Sequence, residues 1–407
     1  MIRGSCLDLR HDAETSRRRI KPRSTVGRAR LSFVPVADDR LRITYQLTCT
    51  PGEDPEAKAR DIAFEQTVEL PPAIVPPDIA ARMVGRVDTL DPLGDSRWRA
   101  VISYDRVTVG IEVPQVVNLL FGNISMKAGI LLTGISWQTT LLERLGGPAY
   151  GIDGVRGLCG IAERRPLVCT ALKPVGLSAA ELADLCFRFA LGGIDIIKDD
   201  HNLGDQESAR FRERVVRCQD AVARANAQTG STSVYFPNLA NGSPAVTEQV
   251  EFARAAGCRG VMVSPLIVGL DTMRWIARTT GLAVLAHPSM SGVFFQPDHG
   301  ILPEILYGEI FRVAGADGVI YTNAGGRFDF SQATCDAINA NLRKPLGALR
   351  PGFPVPGGGV DAARAPHWVE RYGVDTILLI GGSLYAQGDL TRASRRLVDT
   401  IRRVCDA

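Results

Sequence analysis

Short apolar segments alternate with segments that can form helices throughout the chain after Pro148. Ser178 and Glu181 fit a capping box at the start of the helix after the first apolar segment, and residues 207–227 read as the helix after the second. Eight such units in about 250 residues are typical of a (β/α)8 barrel, whereas a doubly wound open sheet, the alternative, would not need eight regular units. The predicted strands are residues 167–172, 194–198, 233–237, 260–264, 283–286, 318–321, 353–356 and 376–380.

Residues 35–147 are predicted to form an α+β domain ahead of the barrel. Residues 41–47 alternate between apolar and polar side chains, as a strand does, and the pattern favours two helices and two further strands after it. The predicted fold is therefore α/β, with an α+β N-terminal domain followed by a (β/α)8 barrel over residues 148–407. The predicted helices are residues 55–64 and 114–121, and the further strands are 97–104 and 106–113.

The first 34 residues are predicted to be a disordered basic leader. Residues 1–30 carry nine lysines and arginines against three acids, and charge runs of this kind are usually solvated tails. A start codon assigned too far upstream would also explain this basic stretch.

The overall composition excludes several classes of protein. Of the 407 residues, 45% are hydrophobic and 22% are charged, and the net charge is only +3, so no general attraction to nucleic acid or to a membrane is expected. No run reaches the ~18 apolar residues of a membrane helix. The nine cysteines form no C-x-x-C pair, so we expect reduced thiols and a cytoplasmic protein.

Polar side chains follow the predicted barrel strands where those strands end. Lys173 follows the first strand, residues 198–201 (Lys-Asp-Asp-His) end the second, His287 follows the fifth, and Arg327 lies after the sixth. Because the carboxyl ends of barrel strands surround the active site, these residues are candidates for catalysis. The alternative is an ion pair without a catalytic role at a strand end.

Two glycine-rich turns, residues 357–359 and 381–383, follow the seventh and eighth predicted strands. Bare backbone N–H groups at these two places commonly bind a phosphate group in such barrels. Tight turns without a ligand are the alternative.

Two motifs give the chain a family resemblance. Residues 170–174 (Thr-Ala-Leu-Lys-Pro) follow strand one, and residues 192–200 read Gly-Gly-x-Asp-x-x-Lys-Asp-Asp through strand two. With an irregular N-terminal domain and an eight-unit barrel, the chain resembles the RuBisCO large-subunit superfamily over roughly residues 40–389. The resemblance implies a homodimer, or a multiple of dimers, in which each active site lies between one barrel and the partner's N-terminal domain.

The resemblance also implies roles for individual residues. Lys173 matches a lysine that handles protons on an enediolate, Lys198 a lysine that is carbamylated and binds Mg²⁺, and Asp200 a carboxylate ligand of that metal. Glu65 and Asn123 match the two residues offered across the subunit interface. The remaining matches are His287, the histidine after strand five, and Gly358, Gly359, Gly381 and Gly382, the glycines around one substrate phosphate.

Several positions depart from the family pattern. His201 stands where carbon-fixing members have a glutamate metal ligand, so we expect a weaker magnesium site or a preference for another divalent metal, with Lys198 either carbamylated or a free amine. Val175 replaces a second lysine, and Arg327 replaces the lysine of a mobile loop. At the second phosphate site, Pro288, Ile320 and Gly357 replace arginine, histidine and serine.

These departures indicate a RuBisCO-like protein of the non-carbon-fixing branch, acting on a monophosphorylated sugar or sugar acid. The resemblance implies enolate chemistry on such a substrate, and among its reactions we favour decarboxylation of a 3-oxo sugar-acid phosphate, because the planar guanidinium of Arg327 suits a carboxylate. The alternatives are an isomerase or enolase that uses Lys173 or Lys198 as a base, and a non-catalytic protein that binds a phosphorylated ligand.

Overall fold

The N-terminal region of the structure is built around an antiparallel sheet. The computed structural model describes residues 40–326, 328 and 330–406, so the predicted basic leader and Arg327 lie outside the described residues. Strand β1 pairs with both β3 and β4, and β3 pairs with β2. Alternate residues of β1, from Leu41 to Leu47, are buried because successive strand side chains point to opposite faces. The strands are β1 (Leu41–Thr48), β2 (Arg86–Gly94), β3 (Arg97–Tyr104) and β4 (Ile130–Ser136).

Helices cover this sheet and lead to the barrel. They are α1 (Pro55–Glu65), α2 (Pro77–Met83), α3 (Arg106–Val109), α4 (Val113–Phe121), α5 (Thr139–Leu145) and α6 (Gly151–Leu158), with 3₁₀ turns at Pro72–Ile74 and Asn123–Met126.

The predicted strand over residues 106–113 is wrong. Those residues contain helix α3 and the first residue of α4. The Asp105 side chain accepts a hydrogen bond from the Val107 N–H at 3.1 Å and so caps α3, which outweighs the strand preference of the sequence Val-Thr-Val. Strands β2 and β4 were not predicted.

The eight predicted barrel strands are all present. They are β5 (Leu167–Ala171), β6 (Ile196–Lys198), β7 (Val234–Phe236) with its continuation β8 (Asn238–Leu239), β9 (Gly260–Val263), β10 (Ala283–Ala286), β12 (Gly318–Thr322), β13 (Phe353–Gly357) and β14 (Ile377–Leu379), and β11 (Gly300–Ile301) lies between β10 and β12.

The strands are parallel and form two arcs. One arc runs β14-β5-β6-β7, and the other runs β13-β12-β10-β9-β8. Pro237 interrupts the strand that joins them, and at the other seam Gly357 packs against the Leu379 side chain. A separate cluster of apolar side chains, including Cys169, fills the centre. This arrangement is a (β/α)8 barrel and not a doubly wound open sheet.

Helices surround the barrel. The Ser178 and Glu181 capping box is confirmed at the start of the first of them. In the described part of the chain, no helix is long and apolar enough to cross a membrane. The helices are α7 (Ala179–Leu191), α8 (Phe211–Thr229), α9 (Ala245–Ala255), α10 (Pro265–Val268), α11 (Leu270–Thr279), α12 (Pro303–Ile305), α13 (Phe311–Val313), α14 (Gln332–Arg343), α15 (Ala365–Tyr372), α16 (Gly382–Tyr385) and α17 (Leu390–Asp406), with a π-helical turn at Leu306–Ile310 and 3₁₀ turns at Glu207–Ala209, Ser291–Phe294 and Ala362–Arg364.

Candidate active site

A cavity of about 1100 Å³ lies at the carboxyl ends of the barrel strands. Nine of the predicted catalytic, metal-binding and phosphate-binding residues line it, so the structure brings these nine together. They are Lys173, Lys198, Asp200, His201, His287, Gly358, Gly359, Gly381 and Gly382.

Lys173 and Asp200 form an ion pair in this cavity. The Lys173 Nζ contacts Asp200 Oδ2, and the Asn202 N–H donates to Asp200 Oδ1 at 3.0 Å. Burial raises the pKa of Asp200, but the Lys173 ammonium and the Asn202 N–H outweigh it, so the pKa lies below its ordinary value. Asp200 is therefore an ionised carboxylate facing a cation. Tyr385 holds the first strand end in place, since its hydroxyl accepts from the Lys173 N–H and donates to the Ala171 carbonyl, both at 3.0 Å.

Lys198 is almost completely buried, with 2% of its surface exposed. Its Nζ donates to the Asp199 carbonyl oxygen at 3.0 Å. Burial lowers the pKa of Lys198, and the nearby Lys173 ammonium lowers it further against the attraction of Asp200. An unprotonated amine, the form that acts as a base or a nucleophile, is thus easier to reach at Lys198 than at an exposed lysine.

Asp199 points away from the cavity and has a structural role. Its carboxylate accepts from Arg214 Nε at 3.1 Å, from the Tyr235 hydroxyl at 2.7 Å and from the Asn238 N–H at 3.0 Å. Both Asp199 and Arg214 are fully buried. Asp199 thus pairs with Arg214 on a surrounding helix and not with the neighbouring lysine, and Asp200 alone of the two carboxylates faces the cavity.

His201 and His287 stack on each other at the cavity wall, with ring centroids 4.3 Å apart and planes 11° apart. His201 Nδ1 lies 3.3 Å from Asp200 Oδ1. The Ser289 N–H donates to His287 Nδ1 at 3.3 Å, which assigns the ring proton of a neutral His287 to Nε2. Burial, together with Lys198, His201 and Lys173, holds the pKa of His287 well below its usual value, so the ring is neutral at neutral pH.

The two glycine turns expose bare backbone to the cavity. A Cβ at Gly381 or Gly382 would meet no atom within 4 Å, and Gly358 has a φ of +68°. Gly359 lies against Gly326, where an added Cβ would be 2.7 Å from the Gly326 Cα, so a side chain cannot fit between them. Within the described part of the chain, the N–H groups of these four predicted phosphate-binding glycines donate no hydrogen bond. They are therefore available to an anion.

Apolar side chains line the cavity at two positions where the family pattern places residues of a second phosphate site. Pro288 and Ile320 line the cavity there, and the Leu379 side chain packs against Gly357. Two aromatic side chains that the sequence did not single out, Phe295 and Phe330, also line the cavity. They lie only nine and eight residues after the ends of β10 and β12, but single aromatic residues in loops carry no periodic signal.

Glu65 and Asn123 do not line the cavity. They lie together on the N-terminal region, where Asn123 Nδ2 donates to Glu65 Oε1 at 3.2 Å. Lys127 contacts the same carboxylate at 2.8 Å, and its ammonium together with Asn123 lowers the pKa of Glu65. Val175 also lies outside the cavity and is partly exposed.

The side chains present supply only part of a metal site. Asp200 and His201 offer one carboxylate and one imidazole, but the described residues contain no group of three histidine, cysteine, aspartate or glutamate side chains placed to hold a metal ion. Mg²⁺ prefers several oxygen ligands. The donor set therefore suits Mg²⁺ only if Lys198 gains a carboxylate as a carbamate.

The chain matches a known protein family over more than half of its length. The family model for the ribulose bisphosphate carboxylase large chain, catalytic domain, matches residues 151–393. The chain belongs to the RuBisCO large-chain family. Its relatives place it among the RuBisCO-like proteins of the non-carbon-fixing branch, as its departures from the family pattern predict.

Three similar proteins illustrate this RuBisCO-like branch. The 5-methylthioribulose-1-phosphate isomerase of Rhodospirillum rubrum is 39% identical over 366 residues, covering 89% of this chain and 96% of the relative. The 2,3-diketo-5-methylthiopentyl-1-phosphate enolase of Bacillus velezensis is 29% identical, covering 84% of this chain and 86% of the relative. The crystal structure of a RuBisCO-like protein from Rhodopseudomonas palustris superimposes with a TM-score of 0.80 at 35% identity, covering 90% of this chain and 98% of that one.

Proposed function

We propose that this chain is an isomerase or enolase that removes a proton from a carbon atom next to the carbonyl group of a monophosphorylated ketose. The observation that carries the proposal is one cavity that combines the Lys173–Asp200 ion pair and the buried Lys198 amine with two bare glycine turns. The names of the R. rubrum and B. velezensis relatives support it, because each describes isomerisation or enolisation of a carbonyl compound with one phosphate.

The residues of the cavity supply both parts of such a proton transfer. Lys198 is the proposed base, since its lowered pKa favours the unprotonated form that takes a proton from carbon. The Lys173 ammonium and the His287 Nε2–H are the proposed donors to the oxygen atoms of the enediolate that results. Returning the proton to the adjacent carbon completes an isomerisation.

A divalent metal fits the cavity if Lys198 is carbamylated, in which case Lys173, the other candidate base, would remove the proton in its place. The unprotonated amine favoured by burial is the form that adds carbon dioxide, and the carbamate, Asp200 and His201 would then hold the ion. When bound, Mg²⁺ would stabilise negative charge on the two enediolate oxygens.

Two parts of the cavity lining suit different parts of the substrate. Four backbone N–H groups on the glycine turns match a phosphate dianion, whereas the Pro288 and Ile320 side chains offer no charge to a second one. The proposed substrate therefore has one phosphate and an apolar group at its far end.

Replacing Ile320 with asparagine is expected to raise KM about tenfold for a ketose monophosphate with an apolar end, with a smaller change in kcat. The amide would have to be desolvated against an apolar group of the substrate. Steady-state kinetics with 5-methylthioribulose 1-phosphate and with ribulose 5-phosphate would measure the difference. An equal rise in KM for both compounds would contradict the proposal that the substrate has an apolar group next to Ile320.

The preference of the sequence for decarboxylation rests on Arg327, which lies outside the described residues, and the relatives' names favour its alternative. Incubation with ketose monophosphates in D₂O, followed by NMR, distinguishes the reactions. Deuterium incorporation with an unchanged carbon skeleton supports the proposal, whereas carbon dioxide released from a 3-oxo acid phosphate would replace it.

We also propose that Glu65 and Asn123 complete the site of a partner subunit, as the family resemblance implies. They lie together on the surface of the N-terminal region but outside the cavity of their own chain. The neighbouring Met126 is 80% exposed, which is unusual for a large apolar side chain and suits a surface that a second copy covers.

Hybrid dimers test this shared site. Chains carrying Lys173→Met and chains carrying Glu65→Gln are each expected to be inactive, while co-expressing them should restore about a quarter of the wild-type activity, since half of the dimers then contain one intact site of two. Activity of the co-expressed mixture is the measurement, with each parent homodimer as control, and hybrids purified from the mixture should have about half of the wild-type activity. Hybrids no more active than the parents would contradict the shared site.

A further inference from the structure

The loop after β10 ties the barrel to the N-terminal sheet of the same chain. Strand β11 at the end of this loop pairs in parallel with Leu131 and Leu132 of β4, and the Leu302 N–H donates to the Leu132 carbonyl at 3.1 Å. Gly300 has a φ of +120°, and a Cβ there would lie 1.9 Å from the Phe294 carbonyl oxygen. Only glycine fits, so the end of the loop is fixed on the sheet.

His299, the residue before this strand, makes a hydrogen bond across the same junction. Its Nε2 lies 2.9 Å from the Ser125 carbonyl oxygen. A carbonyl oxygen can only accept, so Nε2 carries the proton and donates. The ring packs against Phe121 with centroids 5.4 Å apart, and its Nδ1 is buried without a hydrogen-bond partner among the described residues. Among the described residues, the imidazole therefore makes one hydrogen bond, to the Ser125 carbonyl oxygen.

Ser125 belongs to the 3₁₀ turn that carries Asn123. That turn, Asn123–Met126, is held from the N-terminal region by Gln66, whose Oε1 accepts from the Ile124 N–H at 3.3 Å. His299, in the loop after β10, is bound to the same turn through the Ser125 carbonyl. The turn that carries Asn123 is thus linked to a residue remote from it in sequence.

We propose that His299 is a positioning residue that sets Asn123 for the active site of the partner subunit. The inference rests on the proposed shared site. The inference adds a role for the loop that begins at His287 in the cavity of one barrel. At its other end, His299 positions Asn123, which serves the barrel of the partner subunit. Within this loop, the Ser291 hydroxyl donates to the Pro288 carbonyl at 2.6 Å, so the segment next to His287 is held as well.

Two substitutions distinguish the hydrogen bond that His299 donates from the packing of its ring. His299→Gln keeps an N–H donor at the end of a side chain of similar reach, whereas His299→Phe keeps the ring against Phe121 and removes the donor. Hydrogen exchange of the full-length chain, read at the backbone amides of residues 123–127, needs no substrate. We expect exchange about three- to tenfold faster in the phenylalanine variant and close to wild type in the glutamine variant. If the wild type and both variants exchange these amides at the same rate, the His299–Ser125 hydrogen bond does not hold the turn, and the proposal is overturned.

Hybrid dimers then show which site His299 serves. In hybrids of Lys173→Met and Glu65→Gln chains, the working site takes its N-terminal region from the first chain and its barrel from the second. We expect His299→Phe to lower kcat about tenfold or more when placed in the first chain, and to leave it near the parent value in the second. His299→Gln in the first chain should retain most of the activity.

The other outcomes separate the two ideas. If hybrids with wild-type His299 are inactive, the shared site is wrong, and this proposal falls with it. If those hybrids are active but His299→Phe lowers kcat only from the second chain, or from neither, the shared site stands and the positioning role of His299 is overturned.

Discussion

Lys173→Met is expected to lower kcat by about 10²- to 10⁴-fold, the range typical of losing a group that transfers protons or stabilises developing charge. Methionine has nearly the length of lysine but no ammonium, so the enediolate would lose a cation and Asp200 would lose its ion-pair partner. Steady-state kinetics with a ketose monophosphate, together with the deuterium exchange described above, would measure the loss.

A second lysine provides the control for this substitution. Lys58 is also paired with a carboxylate, with its Nζ 3.0 Å from Glu53 Oε1, but it lies in the N-terminal region outside the cavity. Lys58→Met should therefore leave kcat within about twofold of wild type while removing a similar ion pair. A loss of less than tenfold in Lys173→Met would argue that the ion pair is structural and that another group handles the proton.

Much of the barrel and its site could be predicted because the relevant signals are local. Each strand-and-helix unit carries its own apolar pattern, and the parallel arrangement then brings the residues after the strands to one end. Lys173 and His287 meet in the cavity for this reason, although they are more than a hundred residues apart in sequence.

Strand periodicity contained one further signal. Successive side chains of a strand point to opposite sides, so Lys198 and Asp200 share the cavity side while Asp199 points to the surrounding helices. Reading the three residues as one charged cluster missed this alternation.

The features that were not predicted depend on contacts between distant segments. The stack of His201 on His287 and the pairing of β11 with β4 have no local signature. Helix α3 was missed for a different reason, because a single cap at Asp105 outweighs three residues that favour a strand. The cavity that contains the charged residues was thus predictable, but the contacts that orient them were not.

Arg214→Met is expected to lower the free energy of unfolding by about 3–5 kcal/mol, because it leaves the buried Asp199 carboxylate without its counter-charge. Urea denaturation would measure the change. Arg217→Met on the same helix is the matched control, since Arg217 forms an exposed ion pair with Glu213 that is about half accessible on both sides. That pair should contribute about 0.5 kcal/mol or less.

A third variant tests whether the loss comes from the unpaired charge. Adding Asp199→Asn to Arg214→Met removes the buried negative charge while keeping an acceptor for Tyr235, so it should recover part of the lost stability. No recovery would show that the packing of Arg214, and not its charge, holds α8 to the strand end. The Asp199 carbonyl oxygen also accepts the hydrogen bond from Lys198 Nζ. We therefore expect Arg214→Met to make the Lys198 side chain more mobile and to slow the proton transfer.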